Sequence, residues 1–370
     1  MTLILTVILV ALAFEYINGF HDTANSIATV VSTKVLTPRQ AVILAAVTNL
    51  FGALWGTKVA STITSGLVDS NVVNVTSNVI ICVLLGAITW NLITWWFGLP
   101  SSSSHALIGG LCGGALAASS AGWHSIQWSA IIWSQPDKHH WYKNGGLLWK
   151  VIVPMALSPA LGFIFGFILM AALYILLRNQ LPSRINSFFG VAQIFSAGSM
   201  GIMHGTNDAQ KTMGIITMVL FGATQAGELN GLPKMFSFLH AASKEVPVWV
   251  KVLCALTMAS GTAVGGWRII KTLGHKMVKL HPINGFAAET SSATVIGLAS
   301  LLGIPVSTTH NISASIMGVG CAKRFNAIKW IVVERMVWAW IFTLPVSAAI
   351  AYALVRLMQF AGWIPSPLPH

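Results

Sequence analysis

The stretch NGFHDTANS, Asn18 to Ser26, follows an opening, MTLILTVILVALAF, that contains no charged residue. Together with Glu15 it carries His21, Asp22 and Asn25 into what otherwise reads as a membrane helix. An ionisable group at that depth costs at least ~2.5 kcal/mol and by default marks a binding site or an ion pathway. One straight helix from Met1 to Thr33 would be about 48 Å long against about 30 Å of hydrocarbon. The polar motif Gly19–Asn25 is therefore expected to interrupt it. The opening has neither a basic leader nor a small-residue cleavage site, so Met1–Phe14 reads as part of a mature helix.

The remaining chain extends the membrane reading. Of 370 residues, 55% are hydrophobic and 8% charged, where a soluble domain carries about 25% charged. Apolar runs recur at Val79–Leu92, Val151–Leu177, Val248–Val264, Val295–Ile304 and Trp330–Leu354, and several reach the roughly 20 residues that span a bilayer. The expected fold class is all-α and polytopic, with the lipid bilayer as its solvent. The net charge of +12, from 21 Lys and Arg against nine acids, fits basic loops on one side of the membrane and implies no nucleic-acid partner. It also suits an anionic substrate. Cys82, Cys112, Cys254 and Cys321 lie in apolar stretches without metal-ligand spacing and read as buried thiols.

A basic loop (Lys34, Pro38, Arg39) leads to a second span ending near Gly66, then to a loop without Lys or Arg at Asp69–Val75. A span from Ser77 to Leu99 runs into LPSSSSHALIGG and a shorter apolar piece ending near Ala118. The polar break Pro100–His105 is tolerated at membrane depth only where it is buried in protein or lines a cavity. Ser77–Ala118 thus reads as a re-entrant hairpin with its tip at Pro100–Ser104. Ser119–Lys150 is a polar loop; it holds His139 and His140, too little to assign a metal. Another long span ends at Arg178 and Arg184.

Internal repetition decides the architecture. GFHDTAN at Gly19–Asn25 returns 186 positions later as GTNDAQK at Gly205–Lys211, and LPSSSSH at Leu99–His105 returns 205 positions later as IPVSTTH at Ile304–His310. The order is kept, so residues 1–184 and 185–370 form two related halves. With the basic loops Lys34–Arg39, Arg178–Arg184, Arg268–Lys279 and Lys323–Lys329 in the cytoplasm, three net crossings separate the halves. An odd number inverts the second half against the first. The expectation is two inverted-topology repeats, each with a broken helix and a re-entrant hairpin, in the cell (inner) membrane with both termini on the non-cytoplasmic side.

The duplicated motifs carry the chemistry. Ser102, Ser103 and Ser104 with Ser307, Thr308 and Thr309 offer hydroxyls from two tips, each opening a helix whose N-terminal N–H groups suit a small oxyanion. Routine N-capping is the competing role. Asp22 and Asp208 can accept hydrogen bonds from a protonated oxyanion or ligate a cation, and Asn25, Asn207 and Gln210 add neutral oxygens. Glu15 and Glu289 lie in apolar surroundings, as proton relays, cation ligands or structural pairs. His105 and His310 are read as capping or orienting the tip serines.

GFHDTANSIATVV, GTNDAQKTMG and GIPVSTTH resemble the inorganic phosphate transporter (PiT) family, whose repeated signature is Gly-Ala-Asn-Asp-x-Ala-Asn. The resemblance covers both halves in order. It implies a secondary active symporter importing orthophosphate, commonly a homodimer without cofactor or resident metal. Substrate ligands would come from Asp22, Asn25, Ser102, Ser103, Ser104, Asp208, Gln210, Lys211, Ser307, Thr308 and Thr309, and coupling-ion ligands from His21, Asp22, Asn25, Asn207, Asp208 and Glu289. His21 stands where the signature has Asn, and Gln210-Lys211 where it has Ala-Asn. That is similar to the bacterial low-affinity branch, described as proton-coupled and able to carry metal phosphates. Lys211 puts a fixed ammonium where Asn25's counterpart would hold a sodium ion, and histidine is the side chain that changes charge near neutral pH. The alternatives are a snorkelling lysine and a core histidine. The expected coupling ion is the proton, with Na⁺ the alternative.

Other functions fit less well. A Ser-His-Asp hydrolase needs one asymmetric nucleophilic site, whereas every motif here is duplicated. A channel is possible, yet hairpins combined with carboxylates fit alternating access better than a continuous pore. Sulfate is the runner-up substrate, but it is fully deprotonated and cannot donate a hydrogen bond to Asp22 or Asp208.

Overall fold

The computed structural model describes residues 2–65, 76–120, 122–129, 146–231 and 233–365. The expected loop Asp69–Val75 and the pair His139 and His140 lie outside the described residues. In chain order the α-helices are α1 (Thr2–Ser32), α2 (Pro38–Ala53), α3 (Lys58–Ser65), α4 (Ser77–Phe97), α5 (Ser103–Ala118) and α6 (Val153–Leu176). They continue with α7 (Pro182–Gln225), α8 (Val248–Val264), α9 (Trp267–Lys271), α10 (Pro282–Leu301), α11 (Thr308–Lys323) and α12 (Trp330–Phe360). Four helical segments among the described residues, built on α1, α4, α6 and α12, are long and apolar enough to cross a membrane, and the bent pair α8–α9 makes a fifth.

The first helix is not broken at Gly19–Asn25. α1 is continuous for 31 residues, and α7 runs for 44 residues straight through Gly205–Lys211. The glycines ahead of the two Asp motifs serve packing instead. A Cβ on Gly19 would stand 2.4 Å from Met258 O, and one on Gly261 2.1 Å from Tyr16 O, so α1 and α8 cross backbone to backbone. Gly205 and Gly52 do the same for α7 and α2, against Asn49 O at 2.3 Å and Ile202 O at 2.0 Å. Small residues at a crossing are how membrane helices gain close contact when lipid offers no hydrophobic drive.

The breaks fall elsewhere. The second span divides into α2 and α3, and its counterpart bends by 58° between α8 and the segment Trp267–Lys276. Arg268–Lys279, expected as a loop, is therefore largely helical. Gly265, at φ +76°, allows the bend. Each short segment after a break closes the C-terminal end of a helix from the other part of the chain, α4 or α10. Arg268 donates to Trp96 O (2.6 Å) and Thr272 to Gly98 O (2.8 Å). Lys58 donates to Leu301 O (3.1 Å) and Thr62 to Gly303 O (2.7 Å). A cation and a hydroxyl satisfy the last carbonyls that a helix end leaves free.

Several of the main helix packings cross between residues 1–184 and 185–370: α5 lies on α12 and α11 on α6, while α1 lies on α8 and α7 on α2. α4 and α5 form a helical hairpin, as do α10 and α11, and both turn at a left-handed glycine, Gly98 (φ +65°) and Gly303 (φ +69°). α1 and α7 run in opposite directions. Thr33 bonds Gln193, Asp22 lies beside Asp208, and Glu15 bonds Thr212.

Candidate functional site

α5 and α11 open alike because each is started by a serine cap. Ser102 Oγ accepts from His105 N, and Ser307 Oγ from His310 N, both at 3.2 Å. Two of the six tip hydroxyls, Ser102 and Ser307, thus act as caps, the competing role weighed from sequence. The rings of His105 and His310 do not orient the serines. They meet each other with centroids 4.8 Å apart, and His310 stacks on Trp340 at 4.3 Å. Trp340 Nε1 in turn donates to Pro100 O at 2.9 Å. Two hairpin tips from the two halves are therefore in contact at the centre of the molecule.

Against these tips stand the two Asp motifs. Asn25 Nδ2 donates to Thr308 (3.2 Å) and Thr309 (2.9 Å). Thr308 donates to Asp208 Oδ2 at 2.8 Å, and Thr309 to Asp22 Oδ1 at 3.3 Å. The Lys211 ammonium touches Asp208 Oδ1 and Ser104 Oγ and donates to Val306 O at 3.1 Å. It thereby ties the second Asp motif to both tips. Ser103 is buried beside them, and its hydroxyl has no hydrogen-bond partner among the described residues.

Each carboxylate also has a histidine. His21 Nδ1 lies 2.7 Å from Asp22 Oδ1, and its Nε2 3.2 Å from Thr94 Oγ1 and 3.5 Å from Ser101 Oγ. His204 Nε2 stands 3.1 Å from Asp208 Oδ2, with Nδ1 3.0 Å from Asn49 Oδ1. Sequence reasoning missed His204, Ser101 and Thr94. The signal for His204 was present, since a histidine four residues before Asp208 shares its face on an unbroken helix.

Two expected site residues are placed elsewhere. Gln210 does not face the tips. Its Oε1 accepts from Val59 N (2.8 Å) and Ala60 N (3.2 Å), capping α3, while its Nε2 donates to Thr206 O at 2.7 Å. A long amide beside a helix break is drawn to the free N–H groups there. Glu289 sits apart in a cluster of its own, accepting from Thr29, Ser196 and Gln193. Asn207 donates to Ser300 at 2.9 Å and keeps its Oδ1 without a partner among the described residues.

The site therefore holds two carboxylates against one ammonium, a net charge of −1 with both histidines neutral. Hydroxyls, two helix N-termini and Lys211 can grip an oxyanion, but the surplus negative charge must be offset when one enters. Donor atoms of Asp22, His204 and Asp208 lie within 4.8 Å of one another, a grouping that suits a cation between the halves.

Comparison with known proteins agrees with this chemistry. The model of the phosphate transporter family, PHO4, matches residues 18–351. A probable low-affinity inorganic phosphate transporter of Bacillus subtilis (strain 168) is 44% identical over 96% of this chain and 98% of its own length. One of Rhizobium meliloti (strain 1021) is 43% identical over 94% of each. Among solved structures, a sodium-dependent phosphate transporter superposes with a TM-score of 0.77 over 97% of this chain and 100% of that one. At 22% identity that likeness is one of fold.

Proposed function

Since the chain belongs to the phosphate transporter family, whose members are transporters and not enzymes, we propose that it imports inorganic phosphate by cation symport, with protons as the coupling ion. One observation carries the reading: both hydroxyl tips converge on two carboxylates, Asp22 and Asp208, that have one ammonium, Lys211, between them. HPO₄²⁻ or H₂PO₄⁻ entering beside that arrangement calls for an accompanying cation. Lys211 already fills one cationic position, and His21 and His204 place titratable rings against both carboxylates. Sodium remains the competing coupling ion. A divalent metal bound by Asp22, His204 and Asp208 would travel as cargo with phosphate.

The same reading takes the exchanged packing and the antiparallel α1 and α7 as two inverted repeats, 1–184 and 185–370, in the inner membrane. The termini face the non-cytoplasmic side, and the working unit is a homodimer. Alternating access then tilts one half against the other around the tips.

Competition for uptake tests the substrate. Asp22 and Asp208 are acceptors that a protonated phosphate oxygen satisfies and sulfate does not, and an unmet buried acceptor costs about 1–3 kcal/mol. Labelled phosphate entering proteoliposomes should be displaced by unlabelled phosphate at concentrations at least about fivefold lower than by sulfate. Asp208→Asn should narrow that gap or abolish uptake. Equal competition by sulfate against the parent protein reassigns the substrate.

A further inference from the structure

Among the described residues, four acidic side chains are buried in the helical core: Glu15, Asp22, Asp208 and Glu289. Three are well supplied. Asp22 has His21 and Thr309, Asp208 has Lys211 and Thr308, and Glu289 has three donors. Glu15 is 0% exposed and accepts the Thr212 hydroxyl on one oxygen. Its other oxygen, Oε1, has no hydrogen-bond partner among the described residues. Neither has Oδ1 of its neighbour Asn18, one turn further along α1. Lys211 and Asp208 face Glu15 from α7, and the Cys254 thiol from α8. The Lys211 ammonium is committed to Asp208, Ser104 and Val306. A bare carboxylate so placed is far more costly than a carboxyl that keeps its proton.

The position along α1 matters as much as the burial. Glu15 stands seven residues before Asp22, about 10 Å along the axis, and its partner Thr212 follows Asp208 on the antiparallel α7. It is thus displaced to one side of the anion site, the non-cytoplasmic side in the proposed orientation, yet close enough to feel the Asp208–Lys211 pair. An anion that draws Lys211 from Asp208 adds negative charge near Glu15 and favours a proton there. By linkage, a proton on Glu15 favours the anion to the same degree.

We propose that Glu15 is the proton-carrying carboxyl of the symport. It takes one proton from the side on which phosphate enters, stays neutral while the loaded protein turns over, and releases that proton to the cytoplasm. This rests on the phosphate-symport reading above. The experiment measures two fluxes in sodium-free proteoliposomes: accumulation of labelled phosphate driven by an acid exterior, and exchange against internal phosphate at equal pH. The parent protein should accumulate phosphate about tenfold per pH unit for each proton carried. Glu15→Gln, isosteric and permanently neutral, should continue to exchange phosphate yet lose the accumulation, and Glu15→Asp should restore a pH response. Accumulation by Glu15→Gln equal to that of the parent overturns the assignment, as does loss of exchange together with accumulation in a folded variant. Should Glu15→Gln fail to fold, Glu15→Asp decides: a displaced pH profile supports the role and an unchanged one overturns it. A parent that exchanges phosphate but ignores the pH gradient removes proton coupling, and this role with it, while leaving phosphate transport standing.

Discussion

At the level of single side chains, the charge of the site turns on Lys211, because its ammonium is the basic partner that Asp208 meets in a fully buried setting alongside His204. Removing one member of a buried ion pair leaves the other uncompensated, at a cost of about 3–5 kcal/mol. Lys211→Asn should therefore cripple uptake and lower the thermal midpoint of the purified protein. Adding Asp208→Asn should recover much of the midpoint without recovering transport, and nanoscale fluorimetry with uptake on the same preparations checks both. A double variant no more stable than Lys211→Asn alone would show that the pair is not coupled in this way. The carboxylates, the tip hydroxyls and Lys211 were legible in the sequence because each occurs in a motif stated twice. His204 was not, because its relation to Asp208 holds only on an unbroken helix, and the glycine-led motif reads as a break. Gln210 was misplaced for a related reason: the break it caps, before Lys58, lies within what reads as one span.

At the level of elements, glycine separates two meanings that a sequence leaves merged, chain interruption and close approach. Gly98, Gly265 and Gly303 interrupt, with positive φ. Gly19, Gly52, Gly205 and Gly261 lie inside helices that pass almost in contact. A methyl group on Gly52 would fall 2.0 Å from Ile202 O, whereas one on the exposed helical Gly222 meets nothing within 4 Å. Gly52→Ala is expected to push α2 from α7 and destabilise by about 1–3 kcal/mol. Gly222→Ala should be neutral or stabilising by up to about 1 kcal/mol through helix propensity. Thermal midpoints measured side by side check the contrast, and equal midpoints would contradict the close-crossing account. The reciprocal caps Lys58–Thr62 and Arg268–Thr272 are a third repeated signature. It went unread because a lone basic residue and a threonine four positions apart carry no distinctive chemistry until the carbonyls they serve are known.

At the level of the whole molecule, the exchanged packing means that neither half completes its own site. Thr308 and Thr309 from the second hairpin hold Asp22 and Asn25 of the first half, and Ser104 from the first hairpin meets Lys211 of the second. The membrane class and the hairpin order were legible from hydropathy and repetition, whereas the exchange of partners was not, since it depends on contacts between segments far apart in the chain. The central claim of the proposal is that a site with two carboxylates and one ammonium takes phosphate together with a proton. Its most direct test is phosphate uptake by proteoliposomes in choline buffer, acidic outside, compared with Na⁺ buffer at equal pH on both sides. The account predicts accumulation in choline that follows the pH gradient and gains nothing from sodium; strict dependence on Na⁺ without any response to the pH gradient would contradict it.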